Sequence, residues 1–298
     1  MDAVRAAAPV GMPPDSIGAT LTRDGARLAS ALGFGFAEGY REVLGLLAHV
    51  TGLSRAEVTA RHRDALPADT RVAYAALVER RCCGEPHAYL VGSREFYGMD
   101  FVVTPAVLIP RPETELLVEA ALERLPADRE LRVLDLGTGS GVLAITLARL
   151  RPMAQVTAVE LSADALTVAR VNAIRRGVEH VRLLQSDWFA GVAGERFDLI
   201  VCNPPYVATG DPHRQSGDLR FEPGIALDGG ADGLDCLRAI VSAAPAHLFD
   251  GGWLLVEHGY DQAASCRNQL ATSAFEGVFT ARDLAGIERV SGGQKPLR

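Results

Sequence analysis

The chain has 298 residues, 48% hydrophobic and 22% charged, which suits a folded protein of one large or two modest domains. Its net charge is −7, divided as −1 over residues 1–100 and −6 over the rest, so neither part carries the basic excess of a protein that wraps naked nucleic acid. No run nears the roughly 20 apolar residues of a membrane span, and five cysteines without a C-x-x-C pair argue against a disulfide framework or a zinc site.

Residues 1–18, rich in Ala, Pro and Gly, read as a flexible leader. The opening MDAVRAAAPVGMPPD has no long apolar core and so is unlike a signal peptide. With free Cys82, Cys83, Cys202, Cys236 and Cys266, a reducing cytoplasm is expected. The seven His residues show no ligand spacing, so no metal is expected. From Leu21 to about Ala88 the pattern is helical with short loops. Val43, Leu46, Leu47 and Val50 fall at i, i+3, i+4 and i+7, and Gly52 can end that helix. Ser54 and Glu57 have the spacing of a capping box, and DTRVAYAALVERRCCG gives a third helix ending at Gly84. Residues 1–92 are therefore expected to be a small helical bundle. REFYGMDFVVTPAVL, residues 94–108, alternates around Gly98 and suggests a β-hairpin linker over 93–110.

A second domain is expected over 111–298. It opens with a helix carrying Pro112 near its first position and Glu113 and Glu115 in its first turn, where the helix dipole favours acids. From Leu131 the rhythm becomes strand, helix, strand: LRVLDLG, SGVLAITLARL, AQVTAVELS, ADALTVARVNAIRRG, VRLLQSD, FDLIVCN, LDCLRAIVSAAPAHL, GGWLLVEHG. Continuous apolar strands alternating with helices predict an α/β fold, a mostly parallel sheet covered on both faces. Ligands of such sheets bind at the carboxyl ends of the strands.

Four motifs fall at those ends. DLGTGSG places Gly137, Gly139 and Gly141, with Thr138 and Ser140 between them, in a tight turn that lets a ligand approach backbone N–H groups. The spacing is neither the dinucleotide G-x-G-x-x-G nor a phosphate loop. Glu160 ends the next strand, where a carboxylate can accept from both hydroxyls of a ribose; a surface acid beside a helix start explains it equally well in isolation. Asp187 can accept from an adenine amino group while Trp188 covers the base, although ordinary core packing also accounts for the tryptophan. In LIVCNPPYVATG an apolar strand stops at Asn203-Pro204-Pro205-Tyr206, because proline cannot donate to a sheet ladder. The stiff loop offers one amide, bare carbonyls and one ring, which suits a planar amide or amine. All four together at one sheet edge are hard to assign to chance.

The series DLGTGSG, Glu160 and NPPY resembles the class I S-adenosylmethionine-dependent methyltransferases, and NPPY resembles the signature of those acting on planar nitrogens. The stretches EPHAYLVGSREFYGMDFVVTPAVLIPRPETELLVE, FDLIVCNPPYV, RFEPGIALDGGADGLD, LLVEHG and RDLAGIERV resemble the peptide chain release factor N5-glutamine methyltransferases, the PrmC/HemK family, from about Glu85 to Val290. The resemblance implies a Rossmann-like fold with a mostly parallel seven-stranded sheet and an N-terminal helical domain that helps bind the release factor. It implies S-adenosylmethionine as cofactor and a class 1 release factor, with its Gly-Gly-Gln loop, as partner, without direct nucleic-acid or membrane contact and as a monomer. It further implies that Gly137 to Gly141 wrap the methionine part, Glu160 holds the ribose, Trp188 lies at the adenine, and Asn203 to Tyr206 bind the substrate glutamine. Asn203 thus serves cofactor and substrate alike.

An amide nitrogen is a poor nucleophile, so positioning and electrostatics have to do the catalysis. The Asn203 side-chain oxygen and the Pro204 carbonyl are expected to accept the two substrate N–H groups, with Tyr206 on the amide plane. An adenine-N6 or rRNA amino-methyltransferase shares NPPY but predicts a basic target-recognition region, which is absent; a non-catalytic adaptor would have no use for the Asn203 loop. The long polar segment from Val207 to Asp232, with Arg220, Glu222 and Asp228, reads as a lid or partner contact. Gly292-Gly293-Gln294 spells the substrate motif and is expected to be a coincidence in a flexible tail.

Overall fold

The computed structural model describes residues 13–297, which form parts of two compact units, Met1–Gly92 and Ser93–Arg298. The first twelve residues of the expected leader lie outside the described residues. The leader does not reach 18, because the first helix begins at Ile17.

The first unit holds helices α1 (Ile17–Leu32), α2 (Phe36–Thr51), α3 (Arg55–Ala60), α4 (Ala68–Cys82) and α5 (His87–Val91). Local chemistry sets their ends. Ser16 Oγ accepts from Ala19 N–H to cap α1, and Gly52 closes α2 with φ +69°. The capping box forms: Ser54 Oγ accepts from Glu57 N–H at 3.2 Å while Glu57 Oε2 accepts from Ser54 N–H at 2.8 Å. The apolar stripes of α1, α2 and α4 meet in one core around Leu21, Leu28, Val43, Leu46, Leu47, Tyr74 and Val78.

The second unit opens with the hairpin β1 (Ser93–Phe96) and β2 (Met99–Val102). Tyr97 and Gly98 both have positive φ, 50° and 72°, the type I′ geometry that matches strand twist. A 3-10 turn over Pro112–Thr114 leads into α6 (Glu115–Leu122). Then follow β3 (Arg132–Leu136), α7 (Val142–Leu150), β4 (Gln155–Glu160), α8 (Ala163–Arg176), β5 (Arg182–Gln185), β6 (Phe197–Cys202), α9 (Asp235–Ala243), β7 (Leu248–Glu257), α10 (Ala263–Thr272), β8 (Glu276–Arg282) and β9 (Glu288–Gln294).

One seven-stranded sheet results, in the order β5-β4-β3-β6-β7-β9-β8, parallel except that β9 runs antiparallel to both its neighbours. Side chains alternate across it: Leu199 and Val201 enter the core that includes α6 and α7, and Ile200 and Cys202 enter the one that includes α9 and α10. With both faces buried, the strands need to be apolar throughout.

Strand order reverses between β3 and β6. Leu136 pairs with both Val159 and Cys202, so Gly137, Glu160 and Asn203 leave the sheet side by side at the switch point, where α/β sheets bind ligands.

The C-terminal Gly292-Gly293-Gln294 corrects an expectation. It is no flexible tail but lies in β9, hydrogen-bonded between β7 and β8. A Cβ at Gly292 would stand 2.5 Å from Leu255 and one at Gly293 2.7 Å from Phe275, so packing requires these glycines. Gln294 Nε2 donates to Gly251 O at 2.8 Å. The residues that spell the motif are structural, and modification of Gln294 has no support.

Candidate active site

At the carboxyl edge of the parallel strands lies a cavity of about 700 Å³, within the range of small-molecule and cofactor sites. Its lining includes Gly137, Thr138, Gly139, Ser140, Glu160, Asp187, Trp188, Asn203 and Pro205. Three sequence-nominated residues, Gly141, Pro204 and Tyr206, do not line it.

The glycine turn runs with φ +70° at Gly137, +56° at Gly139 and +87° at Gly141, a backbone that side chains with Cβ rarely adopt. A Cβ on Gly139 would meet no atom within 4 Å, so a ligand can approach the main chain there. Beneath the turn, Asp135 is fully buried. Its Oδ2 accepts from Thr138 Oγ1 at 2.6 Å and Ala144 N–H at 3.2 Å, while Oδ1 has no hydrogen-bond partner. Burial pushes its pKa up to about 7. Glu160 ties the turn from the other side: Oε2 accepts from Gly139 N–H and Oε1 from Ser162 N–H, both at 2.9 Å. Each oxygen keeps lone-pair capacity toward the cavity.

Trp188 sits at φ +44°, a left-handed conformation unusual for a bulky residue. Ser186 Oγ holds it there, donating to Trp188 O at 3.0 Å and accepting from Gly191 N–H at 2.7 Å. The strained backbone brings the indole over Gly137, where a Cβ would lie 3.6 Å from Cζ3 of the ring. The ring forms a wall of the cavity and also packs on the core beside α9.

Asn203 begins the loop after β6. Its Nδ2 donates to Thr114 Oγ1 at 3.2 Å. Thr114 lies beside Glu257 and favours its ionised form, and Tyr206 Oη donates to Glu257 Oε1 at 3.4 Å. Glu257 is buried at the end of β7, and burial pushes its pKa up to about 7 against the pull of Thr114 and Arg289. Sequence reading missed Thr114, Glu257 and the role of Asp135. The one available signal was acids at strand ends, in VLDLG and LLVEHG. Tyr206 faces this network and not the cavity, for its hydroxyl is turned toward Glu257.

The segment after the loop folds back on itself. Val207 N–H donates to Leu227 O and Gly229 N–H to Val207 O, both at 2.9 Å. Between these ties run three 3-10 turns, and Arg214, Ile225, Ala226 and Asp228 reach the cavity. Glu222, with its side chain fully buried, receives Arg111 Nη2 at 2.7 and 2.8 Å. Arg220 lies against the Phe221 ring. Among the described residues, no group of three or more His, Cys, Asp and Glu side chains is placed to hold a metal, and no helix is long and apolar enough to cross a membrane.

Comparison with known proteins fits this geometry. Residues 113–217 match the methyltransferase small domain and residues 28–92 the PrmC N-terminal domain. A release factor glutamine methyltransferase of Xylella fastidiosa is 49% identical over 251 residues, 84% of this chain and 91% of that protein. One of Burkholderia pseudomallei is 51% identical over 257 residues, 84% of this chain and 90% of that protein. Among solved structures, a 16S rRNA N2 methyltransferase of T. thermophilus, in complex with AdoMet and guanosine, aligns with TM-score 0.51 at 25% identity, covering 68% of this chain and 49% of that one. The chain belongs to the release factor glutamine methyltransferase family, and its second unit has the Rossmann-like class I methyltransferase fold.

Proposed function

We propose that this member of the family transfers a methyl group from S-adenosylmethionine to the side-chain amide nitrogen of the glutamine in the Gly-Gly-Gln loop of class 1 peptide chain release factors. One observation carries the reading. The Asn203 carboxamide lines the cavity with its Nδ2 already engaged by Thr114, so its Oδ1 is left to accept an N–H group.

The cavity fits the cofactor. An open glycine cradle at 139 suits an amino-acid tail, the Glu160 oxygens suit a ribose diol, and the Trp188 ring with Asp187 suits a purine. When bound, S-adenosylmethionine supplies a methyl already activated on a sulfonium, so the chain needs no nucleophile of its own. Gly137 to Gly141 and Glu160 hold the donor end. Asn203 Oδ1 and the Pro204 carbonyl accept the two N–H groups of the substrate amide, and Pro205 at the lining leaves the loop stiff. Those two acceptors orient the nitrogen and favour the positive charge that builds on it. Tyr206, directed at Glu257, supports the loop from behind. Serving as a catalytic ring stacked on the amide is not a role this placement favours.

The helical unit, whose residues 28–92 match the PrmC N-terminal domain, is assigned to release-factor binding. The protein is inferred to act in the cytoplasm as a monomer, as the family resemblance implies. Incubation with methyl-labelled cofactor and either release factor, rRNA or DNA tests the reading: label is expected on the release factor, and label on nucleic acid with inert release factor overturns it.

A further inference from the structure

We infer that Thr114 and Glu257 are positioning residues that decide which end of the Asn203 carboxamide faces the cavity. The inference rests on the proposed reaction, in which that end has to be an acceptor.

A carboxamide has one acceptor and one donor end of nearly equal size, and rotation by half a turn exchanges them. Something has to fix the choice. Here Asn203 Nδ2 donates to Thr114 Oγ1 at 3.2 Å. A threonine hydroxyl that accepts at its oxygen still has one proton to give, and Glu257, whose ionised form Thr114 favours, is the acid beside it. Tyr206 gives its own proton to Glu257 Oε1. With Nδ2 engaged by Thr114, Asn203 Oδ1 is left over for the cavity.

Glu257 is otherwise a poor choice for its place. It is 1% exposed, and its Oε2 has no hydrogen-bond partner. Burying a carboxylate with an oxygen unmet is destabilising unless function requires it, and apolar residues stabilise such positions better. The charged and titratable groups acting on it are Arg289 from β9, which favours its ionised form, Glu113 from the turn before α6, which opposes it, and Tyr206. His258, next in the chain, turns instead to Ser291 Oγ and Gly259 O. A protonated Glu257 could donate to Thr114. Thr114 would then donate to Asn203, and the carboxamide would turn its NH₂ toward the substrate NH₂. The polarity of the chain of hydrogen bonds is thus set by one carboxylate.

The test uses Thr114→Val, which keeps shape and removes the hydroxyl, Thr114→Ser, which restores it, and Glu257→Gln. Thr114→Val and Glu257→Gln are expected to lower kcat on release factor by about tenfold to hundredfold. Thr114→Ser is expected to stay near wild type, and the Kd for S-adenosylmethionine is expected to hold in all three. The wild-type kcat is expected to rise with pH through an ionisation that Glu257→Gln abolishes. A second readout does not depend on turnover. The chain has three asparagines, Asn172, Asn203 and Asn268, so ¹⁵N-Asn labelling gives three side-chain NH₂ pairs, of which Asn203→Ala removes one. That pair is expected to shift in Thr114→Val and to titrate with pH in wild type but not in Glu257→Gln. A kcat and an Asn203 signal both unmoved by Thr114→Val overturn the inference. If wild type leaves release factor unmodified, the proposed reaction fails, and the Asn203 signal still judges the positioning on its own.

Discussion

Arg111 Nη2 lies 2.7 Å and 2.8 Å from the two oxygens of Glu222, joining the chain before the 3-10 turn at Pro112 to the segment that closes over the cavity. The Glu222 side chain is fully buried and Arg111 mostly so. Burial already pushes the Glu222 carboxyl up to about 7 against the pull of Arg111, so without the guanidinium it takes up a proton and the loss is that of the paired hydrogen bonds. Arg111→Ala is therefore expected to lower the unfolding free energy by about 1.5–3 kcal/mol, as for hydrogen bonds to a charged group. It should also weaken cofactor binding, because Ile225 and Ala226 of the same segment line the cavity. Urea denaturation and calorimetric titration check this; an unchanged midpoint together with unchanged affinity contradicts it.

Glu160 connects β4 to the glycine turn through Gly139 N–H and to α8 through Ser162 N–H. Glu160→Ala leaves both donors without an acceptor and removes the proposed ribose contact. Hydrogen bonds to charged groups contribute about 1.5–3 kcal/mol each, so the Kd for S-adenosylmethionine is expected to rise at least about tenfold. The fold should persist, and circular dichroism with calorimetry separates the two effects. Full-affinity binding by this variant would remove Glu160 from the cofactor site.

Trp188 is held at φ +44° with its ring against Gly137. Loss of an aromatic platform under a base typically costs about 1–3 kcal/mol. Trp188→Ala is expected to weaken cofactor binding by about that amount while relieving part of the backbone strain. The signature is a larger loss in affinity than in thermal stability. The reverse ordering would assign the ring to packing alone.

Asp135 and Glu257 are buried acids whose pKa values burial raises to about 7 from ordinary values of 3.8 and 4.5. The folded state thus holds protons that the unfolded chain has released. Their stabilising contribution is complete below the unfolded pKa values and is lost as pH rises through about 7. Unfolding free energy is expected to fall between about pH 5 and 7, by up to about 1.4 kcal/mol per pH unit per group, and to level off above. Asp135→Asn should flatten the slope. Activity should run the other way, because the ionised form of Glu257 aligns Asn203. A stability profile that rises from about pH 5 to 7 would contradict the assignment.

Much of the second unit was legible in the sequence because buried parallel strands are continuous apolar runs: VLDL, VTAVE, LIVC and WLLVE all appear as strands. Glycines and acids at their ends pointed to one edge, and the register of Leu136 with Val159 and Cys202 brings them together. The last two strands were not legible by pattern. EGVFTAR is half-exposed or exposed on both faces, and ERVSGGQ carries two glycines whose reason is tertiary, the nearness of Leu255 and Phe275. The support behind Asn203 was hidden for a similar reason. Thr114 lies 89 residues away from its partner in sequence, and a threonine in a helix start carries no local mark of that contact. The tie from Tyr206 Oη to Glu257 was hidden as well, because spacing says nothing of which way a hydroxyl turns.

The central claim is that Asn203 presents an acceptor to a glutamine amide on a release factor. Tandem mass spectrometry of a release factor incubated with S-adenosylmethionine and either wild-type protein or Asn203→Ala tests it most directly. Wild type is expected to add one methyl group to the side-chain nitrogen of the Gly-Gly-Gln glutamine. Asn203→Ala, with cofactor affinity nearly retained, is expected to add it at least a hundredfold more slowly, roughly the loss seen when a preorganised polar partner of a transition state is removed. Near-normal methylation of that glutamine by Asn203→Ala, or a methyl group found elsewhere, would contradict the account.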